Sequence, residues 1–266
     1  MQLYPLPALA AASLLWLGQP ALAALHTETV DYRIDDETFS GYLAFDDSSD
    51  QPRPGVLVVH EWWGHNEFAR QQAERLAAEG YTAFALDMYG DGKLAEHPED
   101  AMAFAKAAKA DPERLRQRFL AAMAVLKNHH TVASDQIAAQ GYCFGGSVVL
   151  DMARQGVELT GVVSIHGALT STVPAQPGKV KARVQVYTGG ADQLVPASQV
   201  AGLVEEMQTA GVDLTITSFP GVQHSFSNPD ADQVGERFDL PLGYDEDAAQ
   251  RTWDGTLAFY RQLFER

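Results

Sequence analysis

Cysteine is almost absent: the chain of 266 residues has one, Cys143. A single thiol excludes an internal disulfide and any multi-cysteine metal site. Positive charge is also scarce. Nineteen Lys and Arg stand against 35 Asp and Glu, a formal net charge of −16. Such a surface offers nucleic acid no basic footprint and repels anionic membranes. The apolar run from Ala8 to Leu17 is shorter than the roughly 20 residues of a membrane span. No G-x-G-x-x-G follows an early strand and there is no P-loop, so no nucleotide cofactor is expected. Gly (22) and Pro (13) show no period, which excludes collagen-like and low-complexity chains.

What is present reads as a globular protein. Hydrophobic residues make up 46% and charged residues 20%, and the length suits one α/β domain. That domain is expected to span residues 24–266. Upstream, the apolar run leads to Ala21-Leu22-Ala23, with small residues at both positions that a signal peptidase reads. This predicts a secretory signal over residues 1–23 and a periplasmic or secreted mature chain beginning at Ala24. The segment before the run carries no Lys or Arg, and residues 1–23 carry no charge, so cleavage leaves the net charge unchanged.

Short segments rich in Val, Ile, Tyr and Thr predict eight strands, over 28–34, 41–45, 55–60, 82–88, 137–142, 160–166, 183–188 and 213–218. Helical patterns fall between them, over 68–79, 99–127, 146–154, 198–210 and 245–264. The second of these splits near Asp111-Pro112. The first two strands suit a hairpin. The later strands are continuously apolar, as in a mostly parallel sheet with helices on both faces. Residues 89–100 and 228–244, rich in Gly, Pro and Asp, are expected insertions.

The strongest chemical signal is Gly141-Tyr142-Cys143-Phe144-Gly145-Gly146. It follows a strand and opens a helix, the setting of a nucleophile elbow with Cys as the nucleophile. The turn is sharp, so the flanking positions must lack side chains. It lifts the sulfur above the sheet, and the helix N-terminus behind it favours developing negative charge. Asp192 lies in Gly189-Gly190-Ala191-Asp192 after one later strand. His224 lies in Val222-Gln223-His224-Ser225-Phe226 after the next. Cys143 would attack an acyl carbon, His224 would move the proton, and Asp192 would orient the imidazole.

These motifs, with Val59-His60-Glu61-Trp62-Trp63-Gly64 and Ala85-Leu86-Asp87-Met88-Tyr89-Gly90, resemble the dienelactone hydrolase (carboxymethylenebutenolidase) family over roughly residues 41–264. The resemblance implies an α/β-hydrolase fold, a central sheet of about eight strands, and a Cys143-His224-Asp192 triad acting on a small ester or lactone. It also implies that Glu61 touches the resting thiol and helps to generate the thiolate. A carboxylate there disfavours the charged sulfur, which would protect a lone Cys from oxidation. The oxyanion hole is expected from the backbone N–H groups of Trp62 and Phe144. Trp63, Tyr89 and His166 are the expected pocket residues.

Other histidines carry less. His60 and His65 are five apart at a strand end, not four apart on a helix, so no zinc site is expected. His129-His130 reads as a surface pair. The family's substrate-binding Arg after the catalytic His is replaced here by Asn228. Arg237 lies nine residues further on, and Lys93 is the only cation near the other family Arg. Lys gives a point charge without the fork of Arg. Neutral esters and thioesters are therefore alternatives to an anionic lactone, and a non-catalytic binding or stress protein on the same fold is a further one. The expected partner is a small molecule, with no metal and no cofactor, and the expected state is a monomer.

Overall fold

The computed structural model describes Met1, Gln2 and residues 25–265; the expected signal segment lies outside the described residues apart from its first two. The elements run β1 (Leu25–Ile34), β2 (Glu37–Asp46), β3 (Arg53–Val59), α1 (Glu67–Ala78), β4 (Thr82–Leu86), α2 (Pro98–Lys109), α3 (Pro112–Lys127) and β5 (Val132–Tyr142). They continue with α4 (Phe144–Arg154), β6 (Gly161–Ile165), β7 (Arg183–Gly189), α5 (Ala197–Thr209), β8 (Leu214–Phe219), α6 (Ala231–Phe238) and α7 (Glu246–Phe264).

The strands form one eight-stranded sheet in the order β1-β2-β4-β3-β5-β6-β7-β8. β1 and β2 are the expected hairpin, paired from Leu25↔Asp46 to Ile34↔Glu37. The β1–β2 and β2–β4 pairs are antiparallel, and every pair from β4 onward through β3 is parallel. This is the α/β-hydrolase arrangement.

Strand side chains alternate between two apolar layers. On β3, Leu57 and Val59 face the layer built by α3, α4 and α5, while Val56 and Val58 face the layer built by α1 and α7. All four are fully buried. At about 1.5–3 kcal/mol per buried aliphatic side chain, this two-sided burial makes the central strands the rigid part of the molecule. The reactive loops leave their C-terminal ends.

Helix boundaries follow local chemistry. Asp111 caps α3 by accepting from Glu113 N at 3.0 Å and Arg114 N at 3.2 Å, and Pro112 opens the helix, so the expected split falls where predicted. Among the differences from expectation, two bear on the site. α4 begins at Phe144, directly after Cys143, so the helix axis starts at the nucleophile. The segment 228–244 contains α6, which its Gly- and Asp-rich composition concealed.

Arg154 anchors the far end of α4. It is fully buried, its Nε and Nη2 reach the Glu206 carboxylate on α5 at 2.8 Å each, and Nη2 also donates to Leu169 O at 2.7 Å. Burial pushes Glu206 upward in pKa, but the Arg154 bonds outweigh it and hold the carboxyl below its ordinary value.

Candidate active site

Glu61, Trp62, Cys143, Asp192 and His224 all follow the C-terminal ends of strands: β3 for the first two, then β5, β7 and β8. The sheet brings together residues far apart in the chain. His224 Nδ1 lies 2.7 Å from Asp192 Oδ2, and His224 Nε2 lies 3.2 Å from Cys143 Sγ. Asp192 is itself fixed, because its Oδ1 accepts from Leu194 N at 2.8 Å and Val195 N at 3.1 Å. These three residues form one connected chain of hydrogen bonds.

The elbow has the strain expected of it. Cys143 sits at φ 52°, ψ −113°, a region that L side chains rarely adopt. The turn closes only because its neighbours are glycines. A Cβ on Gly141 would lie 2.1 Å from Gly145 O, and one on Gly145 would lie 2.2 Å from Val59 O. Two further non-glycine residues of the site have positive φ, His166 at 41° and Ser225 at 57°.

Electrostatics follow from burial and pairing. Burial alone would push His224 down. The adjacent Cys143, the bonds to Asp192 and Cys143, and the Asp192 charge together raise it from 6.5 to about 10. The pairing with Cys143 and Asp192 therefore favours the protonated imidazole. Trp62 N and Phe144 N, the two expected oxyanion donors, have no protein acceptor among the described residues. Phe144 N is also the first N–H of α4, where the helix dipole adds its partial positive charge.

Glu61 is buried, and the hydrogen bonds of its carboxylate go to partners other than the thiol. Ser225 Oγ donates to Oε1 at 3.0 Å and Asn228 Nδ2 donates to Oε2 at 2.7 Å, while the sulfur is turned to His224. Burial raises Glu61 above the usual carboxylate range, and those two bonds and the His224 charge oppose the rise.

Two of the three expected pocket residues also have other positions. His166 is fully buried beneath the nucleophile, where its Nδ1 accepts from Cys143 N at 3.1 Å. That nitrogen holds a lone pair, and burial pushes His166 well below its ordinary value, so the ring is neutral with its proton on Nε2. Nε2–H donates to Ser227 Oγ at 2.8 Å. Tyr89 packs inward, 6% exposed, with its hydroxyl donating to Trp62 O at 3.0 Å. Trp63 does line a cleft.

That cleft, ≈ 390 Å³, is bounded by Trp63, Leu94, Asn228, Val234, Arg237 and Phe238 among others. Trp63 and Phe238 stack with centroids 5.9 Å apart, and the Arg237 guanidinium lies 4.8 Å from the Phe238 ring. Helix α6 thus carries Arg237 to the same cleft as Asn228, which distance along the chain did not suggest. Lys93 is exposed and bridges Asp91 at 3.6 Å. His129 and His130 pack on each other and on Phe45, just ahead of β5 at the end of the sheet opposite the site. Sequence reasoning missed Ser225 and Ser227; hydroxyls beside a loop histidine carry no pattern that separates them from turn residues.

The model of the dienelactone hydrolase family matches residues 39–264. The chain belongs to that family. It is a carboxylic ester hydrolase by membership, a class that comprises ester and lactone hydrolysis. Among curated relatives, protein usf of Aquifex pyrophilus is 26% identical over 213 residues, covering 79% of this chain and 88% of its own. A protein of Aquifex aeolicus provisionally named carboxymethylenebutenolidase is 24% identical, covering 78% and 87%. Among solved structures, a dienelactone hydrolase-like promiscuous phosphotriesterase from metagenomic libraries superposes with a TM-score of 0.82 at 30% identity, covering 90% of this chain and 99% of its own.

Proposed function

We propose that this family member hydrolyses a small ester or enol-lactone through a thioester formed on Cys143. The observation that carries the reading is the continuous contact from Asp192 through His224 to Cys143, at 2.7 and 3.2 Å. In this reading the Cys143 sulfur attacks the acyl carbon. The carbonyl oxygen takes up negative charge, which Trp62 N–H and Phe144 N–H stabilise. As the tetrahedral species collapses, cationic His224 gives its proton to the departing alkoxide or enolate. Neutral His224 then removes a proton from water, the resulting hydroxide attacks the thioester carbon, and the acid leaves as the sulfur is released as thiolate beside the again cationic His224, the pair from which the cycle began. Asp192 holds the imidazole in the orientation that both steps need.

For substrate, the cleft adjoins the site through Asn228, which bonds Glu61, and none of Cys143, Asp192 and His224 lines it. Its aromatic wall of Trp63 and Phe238 supports a flat molecule reaching in from the thiol, and Arg237 supports a carboxylate there without an Arg at position 228. Neutral esters and phosphotriesters remain alternatives of the same chemistry, the latter because a similar protein is a phosphotriesterase. Export is part of the proposal and rests on the apolar run and Ala21-Leu22-Ala23 alone.

The test is turnover by the mature protein of a dienelactone, a neutral p-nitrophenyl ester and a neutral phosphotriester, with Cys143→Ala as the blank. Cys143-dependent loss of the dienelactone supports the full proposal. Turnover of the neutral ester alone keeps the triad and removes the anionic substrate. Turnover that survives Cys143→Ala, or none with any substrate, overturns the proposal in favour of a different nucleophile or a binding protein.

A further inference from the structure

His60 is a fully buried histidine that the reaction above does not use. It directly follows β3, one residue before Glu61, and contacts on several sides fix it. Met88 N–H donates to its Nε2 at 3.2 Å, so that nitrogen holds the lone pair. The proton therefore sits on Nδ1, which donates to Glu61 O at 2.5 Å, a shorter bond than the 3.2 Å one that the same oxygen accepts from Gly64 N. The His60 carbonyl accepts from Gly145 N at 3.1 Å, and the ring stacks on Phe144, 5.6 Å between centroids and 20° between planes. Burial holds the ring below its ordinary pKa, against the opposing pull of the Glu61 carbonyl and the Asp87 charge.

The Glu61 carbonyl matters because of what shares its peptide plane. Glu61 C=O and Trp62 N–H belong to one rigid planar group, so a bond that fixes the oxygen fixes the direction of the N–H. It also polarises that N–H, because a hydrogen bond accepted at one end of an amide strengthens donation at the other. The next plane is held as well, since the Tyr89 hydroxyl donates to Trp62 O at 3.0 Å. The Tyr89 and His60 rings meet edge to face at 4.7 Å.

We infer that His60 and Tyr89 are positioning residues that clamp the peptide groups on both sides of Trp62, so that its N–H is preset toward the oxyanion. This rests on the proposal that Trp62 N–H is an oxyanion donor. His60 also ties that donor to the second one, through Gly145 N and the Phe144 ring, so the two donors share one support.

The test uses the two amide replacements of the imidazole. The nitrogen of an Asn falls near the position of Nδ1, and the terminal group of a Gln falls near that of Nε2. His60→Asn keeps the donor to Glu61 O and loses the acceptor for Met88 N–H. His60→Gln keeps the acceptor and loses the donor. Each variant sacrifices one buried bond, so a merely structural role moves both alike. The inference expects kcat of His60→Asn within about threefold of wild type. It expects kcat of His60→Gln to be down about 10- to 100-fold with KM little changed, the pattern of a transition-state contact. Tyr89→Phe, which removes only a hydroxyl, is the check if either His60 variant fails to fold, and a several-fold fall in kcat at constant KM is expected of it. Equal losses in the two His60 variants, or losses confined to KM, overturn the inference, as does an unchanged Tyr89→Phe where that check is needed. If Cys143→Ala is as active as wild type, the catalytic reading fails and this inference falls with it. An inactive Cys143→Ala beside equal His60 variants sinks this inference alone.

Discussion

The Asn228 amide donates to Glu61 Oε2 at 2.7 Å. Position 228, read from the sequence as a missing arginine, is therefore occupied by the neutral cap of a buried carboxylate. Asn228 is held in turn, since its Oδ1 accepts from Asp230 N at 3.0 Å. With Ser225 on the other oxygen, Glu61 keeps two donors and no cation in direct contact. The thiol is left to His224.

Asn228→Asp puts a second carboxylate against Glu61 in place of a donor. Like charges in one buried site raise a carboxyl pKa further. A raised carboxyl makes the folded state bind more protons than the unfolded, so stability falls as pH rises through the raised value. The variant is expected to melt well below wild type at pH 7 and to recover much of the gap near pH 5. A gap independent of pH would mean that the cap works by shape alone.

His224 is raised to about 10, and Cys143 is the largest of the causes that raise it. An NMR titration of the imidazole is expected to show a cation through neutral pH in wild type. Its midpoint is expected to move down in Cys143→Ala. An unmoved midpoint would assign the shift to Asp192.

Three buried histidines, His60, His65 and His166, are pushed down by burial, His65 to about 3. Their folded values lie below their unfolded ones, so the unfolded chain binds more protons in acid. Their contribution is present above about pH 6.5 and is lost as pH falls below it. The melting temperature is expected to drop on acidification from pH 7 to 5. His65 Nε2 has no partner among the described residues, so His65→Leu should fold and show a shallower acid slope. An identical slope would remove His65 from the account.

Glu206→Ala leaves the Arg154 guanidinium buried beneath α4 without its main counter-charge. Breaking such a pair costs about 3–5 kcal/mol. Urea denaturation should register that loss. A change below about 1 kcal/mol would mean that Leu169 O and Asp151 suffice for Arg154.

Gly145→Ala tests the elbow. Its Cβ would meet the Val59 carbonyl at 2.2 Å, a backbone atom inside the central strand that has no room to yield. A loss of about 3 kcal/mol or more in stability is expected from urea denaturation, since overpacking against backbone exceeds the usual core penalty.

The sequence determined the order and type of every element but α6. Eight apolar segments rich in β-branched residues, separated by helical periods, gave the sheet, because local burial patterns repeat every two residues in strands and about every 3.6 in helices. It also marked Cys143, Asp192 and His224, since each follows a strand and glycines bracket the first. Helix α6 was hidden by its composition, and the environments of Glu61, His166 and Tyr89 depend on partners up to 167 positions away in sequence, as Asn228 is from Glu61. Only the packed sheet brings Ser225 and Asn228 to Glu61, His166 beneath Cys143, and Arg237 to the cleft of Trp63. A side chain's hydrogen-bond partner is set by which loops share a sheet edge. Strand order fixes that edge, and no single segment encodes it.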